Sequence, residues 1–142
     1  MKQLDITKQI DNTSLKGVSI LVAEDNPLNR IVVCKVLKKW GILFMEAHNG
    51  KEAIEKFKNN QFDLILMDIE MPVMNGYEAI SELKKIGVSI PILAFTSLQH
   101  NNVLCELRKK GFNDMVIKPF NPTDLLIRIQ HYINASTSSG CI

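Results

Sequence analysis

Five side chains that could do chemistry stand at the ends of apolar runs. Glu24 and Asp25 follow ILVA, Asp68 closes LILMD, Thr96 closes ILAFT and Lys118 follows MVI. A carboxylate can attack a phosphoryl group to give an acyl phosphate without a base to deprotonate it. Crowded carboxylates raise one another's pKa unless a cation is present. A magnesium ion suits such a set, because it takes few carboxylates together with waters and phosphate oxygens. The remaining two segments end in a hydroxyl and an ammonium. All of this requires four separate segments of the chain to deliver their ends to one crevice.

The pattern of the chain supplies the means. Short apolar runs, Val18 to Ala23, Ile42 to Ala47, Asp63 to Met67, Ile90 to Phe95 and Met115 to Ile117, alternate with longer segments of helical period. That alternation predicts a parallel sheet with crossover helices, and the unbroken apolar character of the central runs suits strands covered on both faces. Asn26-Pro27 reads as a helix cap with a first-turn proline, and Leu28, Ile31, Val32, Val36 and Leu37 follow at helical spacing until Gly41. Asn49-Gly50 leads into a second helix and Asn75-Gly76 into a third. Val103, Leu104 and Leu107, closed by Gly111, predict the fourth, and Asn121-Pro122 opens the fifth, with Leu125, Leu126, Ile129 and Ile133. Right-handed crossovers then give a doubly wound α/β domain, whose ligands bind outside the carboxyl ends of the strands.

Composition narrows the function further. The chain has 142 residues, 46% of them hydrophobic, enough for one ordinary core and not for two. Residues 1–16 read as a linker or tail, 17–134 as the folded domain and 135–142 as a C-terminal tail. With 17 basic and 15 acidic side chains interspersed along the chain, no basic stripe marks a nucleic-acid surface. Cys34, Cys105 and Cys141 lack paired or metal-type spacing and read as free thiols. No apolar run approaches the roughly 18 residues of a membrane span, so the expectation is a cytoplasmic chain without membrane contact.

The segments ILVAEDN, LILMDIEMPVMNGYEA, ILAFTS and VIKPF, in that order, resemble the response-regulator receiver domains of two-component signalling, most of all those of hybrid sensor histidine kinases. The resemblance implies a flavodoxin-like five-stranded sheet in the order 2-1-3-4-5 with five helices. It implies that Asp68 accepts a phosphoryl group from a histidine kinase or histidine phosphotransfer protein, with intrinsic self-phosphorylation and autodephosphorylation. Magnesium would be held by Asp25, Asp68, the Glu70 backbone carbonyl and Glu24, directly or through water. Lys118, before a cis proline, and Thr96 would hold phosphoryl oxygens and carry the switch. Met115 departs from the pattern, standing where the family usually has an aromatic ring or histidine; methionine repacks with little strain.

Two other enzyme or binder classes fit less well. An aspartyl-nucleophile phosphatase commonly has a second aspartate two residues on, where this chain has Glu70, and EDNPLNR lacks the glycine- or hydroxyl-rich loop of a nucleotide or flavin binder. The intact set of five opposes a degenerate, purely protein-binding receiver. The expected context is a hybrid kinase, with a free-standing single-domain regulator as the alternative, monomeric or weakly dimeric. The expected partner surface is the edge of the first helix, Asn29, Arg30 and Val33, together with Pro119-Phe120.

Overall fold

The computed structural model describes residues 15–98 and 101–139, with side chains described up to residue 135. Five parallel strands, β1 (Ser19–Ala23), β2 (Leu43–Ala47), β3 (Leu64–Asp68), β4 (Ile92–Thr96) and β5 (Asp114–Ile117), pair in the order β2-β1-β3-β4-β5. Between and after them run α1 (Pro27–Lys39), α2 (Gly50–Asn59), α3 (Gly76–Lys85), α4 (Val103–Lys110) and α5 (Pro122–Ser139). This is the expected doubly wound, flavodoxin-like arrangement, with each strand within two residues of its predicted start. Alternation along the strands splits the core into two layers. Leu21, Ile65, Met67 and Ile92 pack under α2, α3 and α4. Ile20, Val22, Leu64, Leu66 and Phe95 pack under α1 and α5.

An asparagine precedes each of the five helices, and four of the five cap their helix through the side chain. Asn26, Asn49 and Asn75 each accept the backbone N–H three residues on, and Asn75 completes a capping box with Glu78. Asn121 accepts from Thr123 and Asp124 in the same way. The other ends are basic: the last turns of α1 to α4 carry Lys38 and Lys39, Lys56 and Lys58, Lys84 and Lys85, and Arg108 to Lys110. Those turns lie at the edge of the sheet where the strands begin, and cations there complement the helix dipoles.

Three expectations need correction. The apolar face of α1 was misassigned: Val33, Cys34 and Leu37 are buried, whereas Leu28, Ile31 and Val32 are 70%, 52% and 42% exposed. The boundary at residue 16 cuts into the core, because Leu15 is fully buried in the α1/α5 layer; residues 1–14 lie outside the described residues. At the other end, α5 continues to Ser139 through most of the anticipated tail, since small residues such as Ala135 permit a helix to run on. Cys34 and Cys105 are free, as expected, and Cys141 lies outside the described residues. No helix of the described residues is long and apolar enough to cross a membrane.

Candidate functional site

Strand register assembles the site. Ala23 pairs with Met67, so Glu24 and Asp68 emerge side by side at the carboxyl edge of β1 and β3. Asp68 pairs with Phe95 and Thr96 with Ile117, which sets Thr96 and Lys118 one step further out on β4 and after β5. Together with Asp25, Asn26, Asn29, Ile69, Glu70 and Ser97 these residues line a pocket of about 240 Å³. The structure thus brings every predicted site residue into one place.

The backbone around Asp68 is tightly fixed. A Cβ on Gly76 would lie 2.4 Å from the Asp68 carbonyl oxygen, so only glycine lets α3 begin against the back of β3. Between them Val73 takes a left-handed φ of 69°, in a turn closed by the Met74 N–H on the Pro72 carbonyl at 2.7 Å. A β-branched residue is strained in that conformation, and Val73 is 78% exposed, so the strain lies in the turn backbone.

Charge in the pocket is unbalanced. Glu24 is fully buried and Asp68 is 3% exposed, and one ammonium serves both: Lys118 Nζ lies 2.9 Å from Asp68 Oδ1 and 3.2 Å from each Glu24 oxygen. Burial, and then the neighbouring Glu24, push the Asp68 carboxyl up from 3.8 to about 6 against the pull of Lys118. Burial alone would lower the Lys118 ammonium, but hydrogen bonding and charge from Asp68, then Glu24, outweigh it and hold it above its ordinary value. The Lys118-Pro119 bond is cis, as the resemblance implied. The Glu70 N–H reaches Asp68 Oδ1 at a long 3.4 Å, and the Thr96 hydroxyl accepts from the Leu98 N–H at 3.0 Å.

Ligand atoms of Glu24, Asp25 and Asp68 lie within 4.8 Å of one another, and a small divalent cation fits this donor set of three carboxylates, one of them half-buried and reachable from the pocket. Two further residues shape the set, and the sequence reading placed them elsewhere. Asn29 and Arg30, expected on the outer edge of α1, turn inward. Asn29 Nδ2 donates to Glu24 Oε1 at 2.7 Å, and an Arg30 guanidinium nitrogen donates to the Glu24 and Asp25 carbonyls at 2.9 and 3.4 Å. Their inward aim depends on the rotation of α1, which residue type and spacing alone leave open. Val33, expected to dock a partner, is core, and Phe120 is half-buried with its ring 5.6 Å from that of Phe95.

The sequence model of the response regulator receiver domain matches residues 20–130. The chain belongs to that family. This receiver domain is 32% identical over 136 residues to the peroxide stress-activated histidine kinase mak1 of Schizosaccharomyces pombe, an alignment covering 90% of this chain and 8% of that kinase. It therefore spans a small part of that relative's length. The receiver domain of the sensor histidine kinase PA1611 from Pseudomonas aeruginosa, with a magnesium ion coordinated in its active site cleft, matches at a TM-score of 0.74 and 33% identity over 83% of this chain and 98% of that one. A chain in the co-crystal of the Saccharomyces cerevisiae histidine phosphotransfer signaling protein Ypd1 and the receiver domain of Ssk1 matches at 0.78 and 26% identity, over 83% and 90%. Residues 20–130 are a receiver domain of two-component signalling.

Proposed function

We propose that Asp68 accepts a phosphoryl group from a phosphohistidine, in a pocket where Glu24, Asp25, Asp68 and the Glu70 backbone carbonyl hold magnesium. The observation that carries this reading is the sharing of one ammonium, Lys118, between two buried carboxylates. Such a cluster is short of positive charge and open to solvent on one side, which suits capture of a cation and of a group that the cation accompanies. Magnesium, when bound, neutralises charge that develops on the phosphoryl oxygens.

The remaining work falls to the chain's own residues. An Asp68 oxygen forms the new bond to phosphorus, while the bond from phosphorus to the donor imidazole nitrogen breaks and its electron pair leaves with the ring. Lys118, already 2.9 Å from Asp68, shifts its ammonium onto a phosphoryl oxygen. The Thr96 hydroxyl accepts from Leu98 and keeps its own hydrogen to donate to another, so the loop carrying Leu98 is tied to the state of the pocket. Met115, half-buried against the α2–α4 layer, takes the place of the ring that follows this movement in relatives.

A histidine kinase or histidine phosphotransfer protein is the donor in this reading, and the domain is part of a hybrid kinase, which its alignment to 8% of the histidine kinase mak1 supports. The donor helix lies on the stripe of α1 that the structure leaves exposed, Leu28, Ile31 and Val32, rather than on Asn29, Arg30 and Val33. Support comes from the nearness of that stripe to Asn26 and Asn29 at the pocket rim.

Acetyl phosphate with magnesium tests the central step. One acyl phosphate, stable to acid and labile to hydroxylamine, is expected on the wild-type chain and none on Asp68→Asn. Intact-mass detection of the adduct on the Asn variant at wild-type level would overturn the assignment.

A further inference from the structure

Glu24 is the most deeply buried charge of the pocket, and Lys118 is a divided partner for it. Both Glu24 oxygens lie 3.2 Å from the Lys118 ammonium, which is closer still, 2.9 Å, to Asp68. An incoming phosphoryl group draws on the same ammonium. Unless something else holds it, Glu24 is then left with the cation alone for a partner, or tugs on Lys118 in competition with the phosphoryl oxygens. The structure supplies a second donor. Asn29 Nδ2 stands 2.7 Å from Glu24 Oε1, the shortest hydrogen bond to the pocket carboxylates among the described residues.

Asn29 is placed there by the start of α1. The Asn26 side chain accepts the Asn29 backbone N–H at 3.1 Å, and Pro27 fixes the first helical turn. Asn29 thus sits at a set rotation about the helix axis, with its amide over the end of β1. Its chemistry suits the position. A neutral amide can hold a carboxylate oxygen without cancelling the charge that a cation needs, whereas a lysine or arginine there would compete with both the cation and Lys118.

We propose that Asn29 is a positioning residue of the acidic pocket: its side-chain amide fixes the Glu24 carboxylate, so that Lys118 can leave Glu24 for the phosphoryl group on Asp68. The assignment rests on the phosphoacceptor reading above and adds a residue that acts through Glu24 rather than on the reacting atoms. It separates two affinities that a purely structural role would leave coupled. Binding of magnesium alone, which does not recruit Lys118, should change little without Asn29. Binding of beryllium fluoride in the presence of magnesium, which does recruit it, should weaken.

Calorimetric titration of Asn29→Leu with each provides the test. The expected result is less than about twofold weakening for magnesium and about tenfold for beryllium fluoride, the size of one charge-assisted hydrogen bond. In a Glu24→Gln background, where no buried charge needs holding, the same change should cost beryllium fluoride less than about twofold. An unchanged beryllium fluoride affinity in Asn29→Leu, or an equal loss in both backgrounds, would overturn the proposal. Should Asn29→Leu not fold, Asn29→Ala carries the same comparison. Acetyl phosphate labelling of Asp68 distinguishes the two ideas: if Asp68 labels normally and the Asn29 cycle shows no coupling, only the positioning role falls.

Discussion

At Asp114, on the first residue of β5, a carboxylate that is 9% exposed accepts from three donors: its neighbour's N–H at 2.8 Å, Arg128 at 3.0 Å and the Tyr132 hydroxyl at 3.0 Å. Arg128 is held in turn by Asp124 at 3.0 Å. At Asp68, 3% exposed, the nearest cation among the described residues is shared with a second buried carboxylate, and the Glu70 N–H is 3.4 Å away. Both clusters are buried acid at a strand end, but only the first is complete in itself. Burial and then hydrogen bonding to Asp114 raise the Tyr132 phenol, which keeps it a donor to that carboxylate, whereas burial first of all pushes the Asp68 carboxyl up to about 6. A closed network fixes α5 on β5; an open one leaves room for something to arrive.

If that contrast is right, neutralising the two aspartates has opposite consequences. Asp114→Ala strands a guanidinium and a phenol and should cost about 2–3 kcal/mol of stability by urea denaturation, toward the lower figure because Arg128 is partly solvated. Asp68→Asn removes a poorly compensated charge and should stabilise the magnesium-free protein by about 1–2 kcal/mol at neutral pH. The sign follows from linkage. The folded protein holds the Asp68 proton up to about 6 and the unfolded chain only to about 3.8, so the folded state binds more protons between those values. Magnesium-free stability therefore falls as pH rises through that window, and the fall should be missing in Asp68→Asn and in the magnesium-saturated protein. Destabilisation by Asp68→Asn, or an identical pH slope in both proteins, would erase the distinction. Tyr132→Phe, which removes one hydroxyl from the closed network, should lose about 0.5–1 kcal/mol; a loss as large as that of Asp114→Ala would mean that the phenol rather than the carboxylate organises the cluster.

The sequence made the open cluster easy to find and the closed one invisible. Glu24, Asp25, Asp68, Thr96 and Lys118 each end an apolar run, and strand ends in a parallel sheet converge by topology. Asp114, Arg128 and Tyr132 meet only because α5 packs back on β5, and no short motif encodes that. Strands and helix starts were legible for the same local reason, through apolar runs and asparagine caps. The rotation of α1 was not. With Leu28, Ile31, Val32, Val33 and Val36 all large and apolar, periodicity offers two faces, and the choice between them is made by β2 and α5. The same ambiguity hid Asn29 and Arg30, whose inward aim depends on that rotation.

The basic last turns of α1 to α4 lie at one edge of the sheet and the acidic pocket at the other. A five-residue strand separates them by about 17 Å. That is about twice the Debye length at physiological salt, so the two edges act as separate fields rather than cancelling. A net charge of +2 conceals this. A charged partner is turned to one edge before any side chain touches, and the rate of productive encounter, more than the strength of the final complex, becomes sensitive to ionic strength.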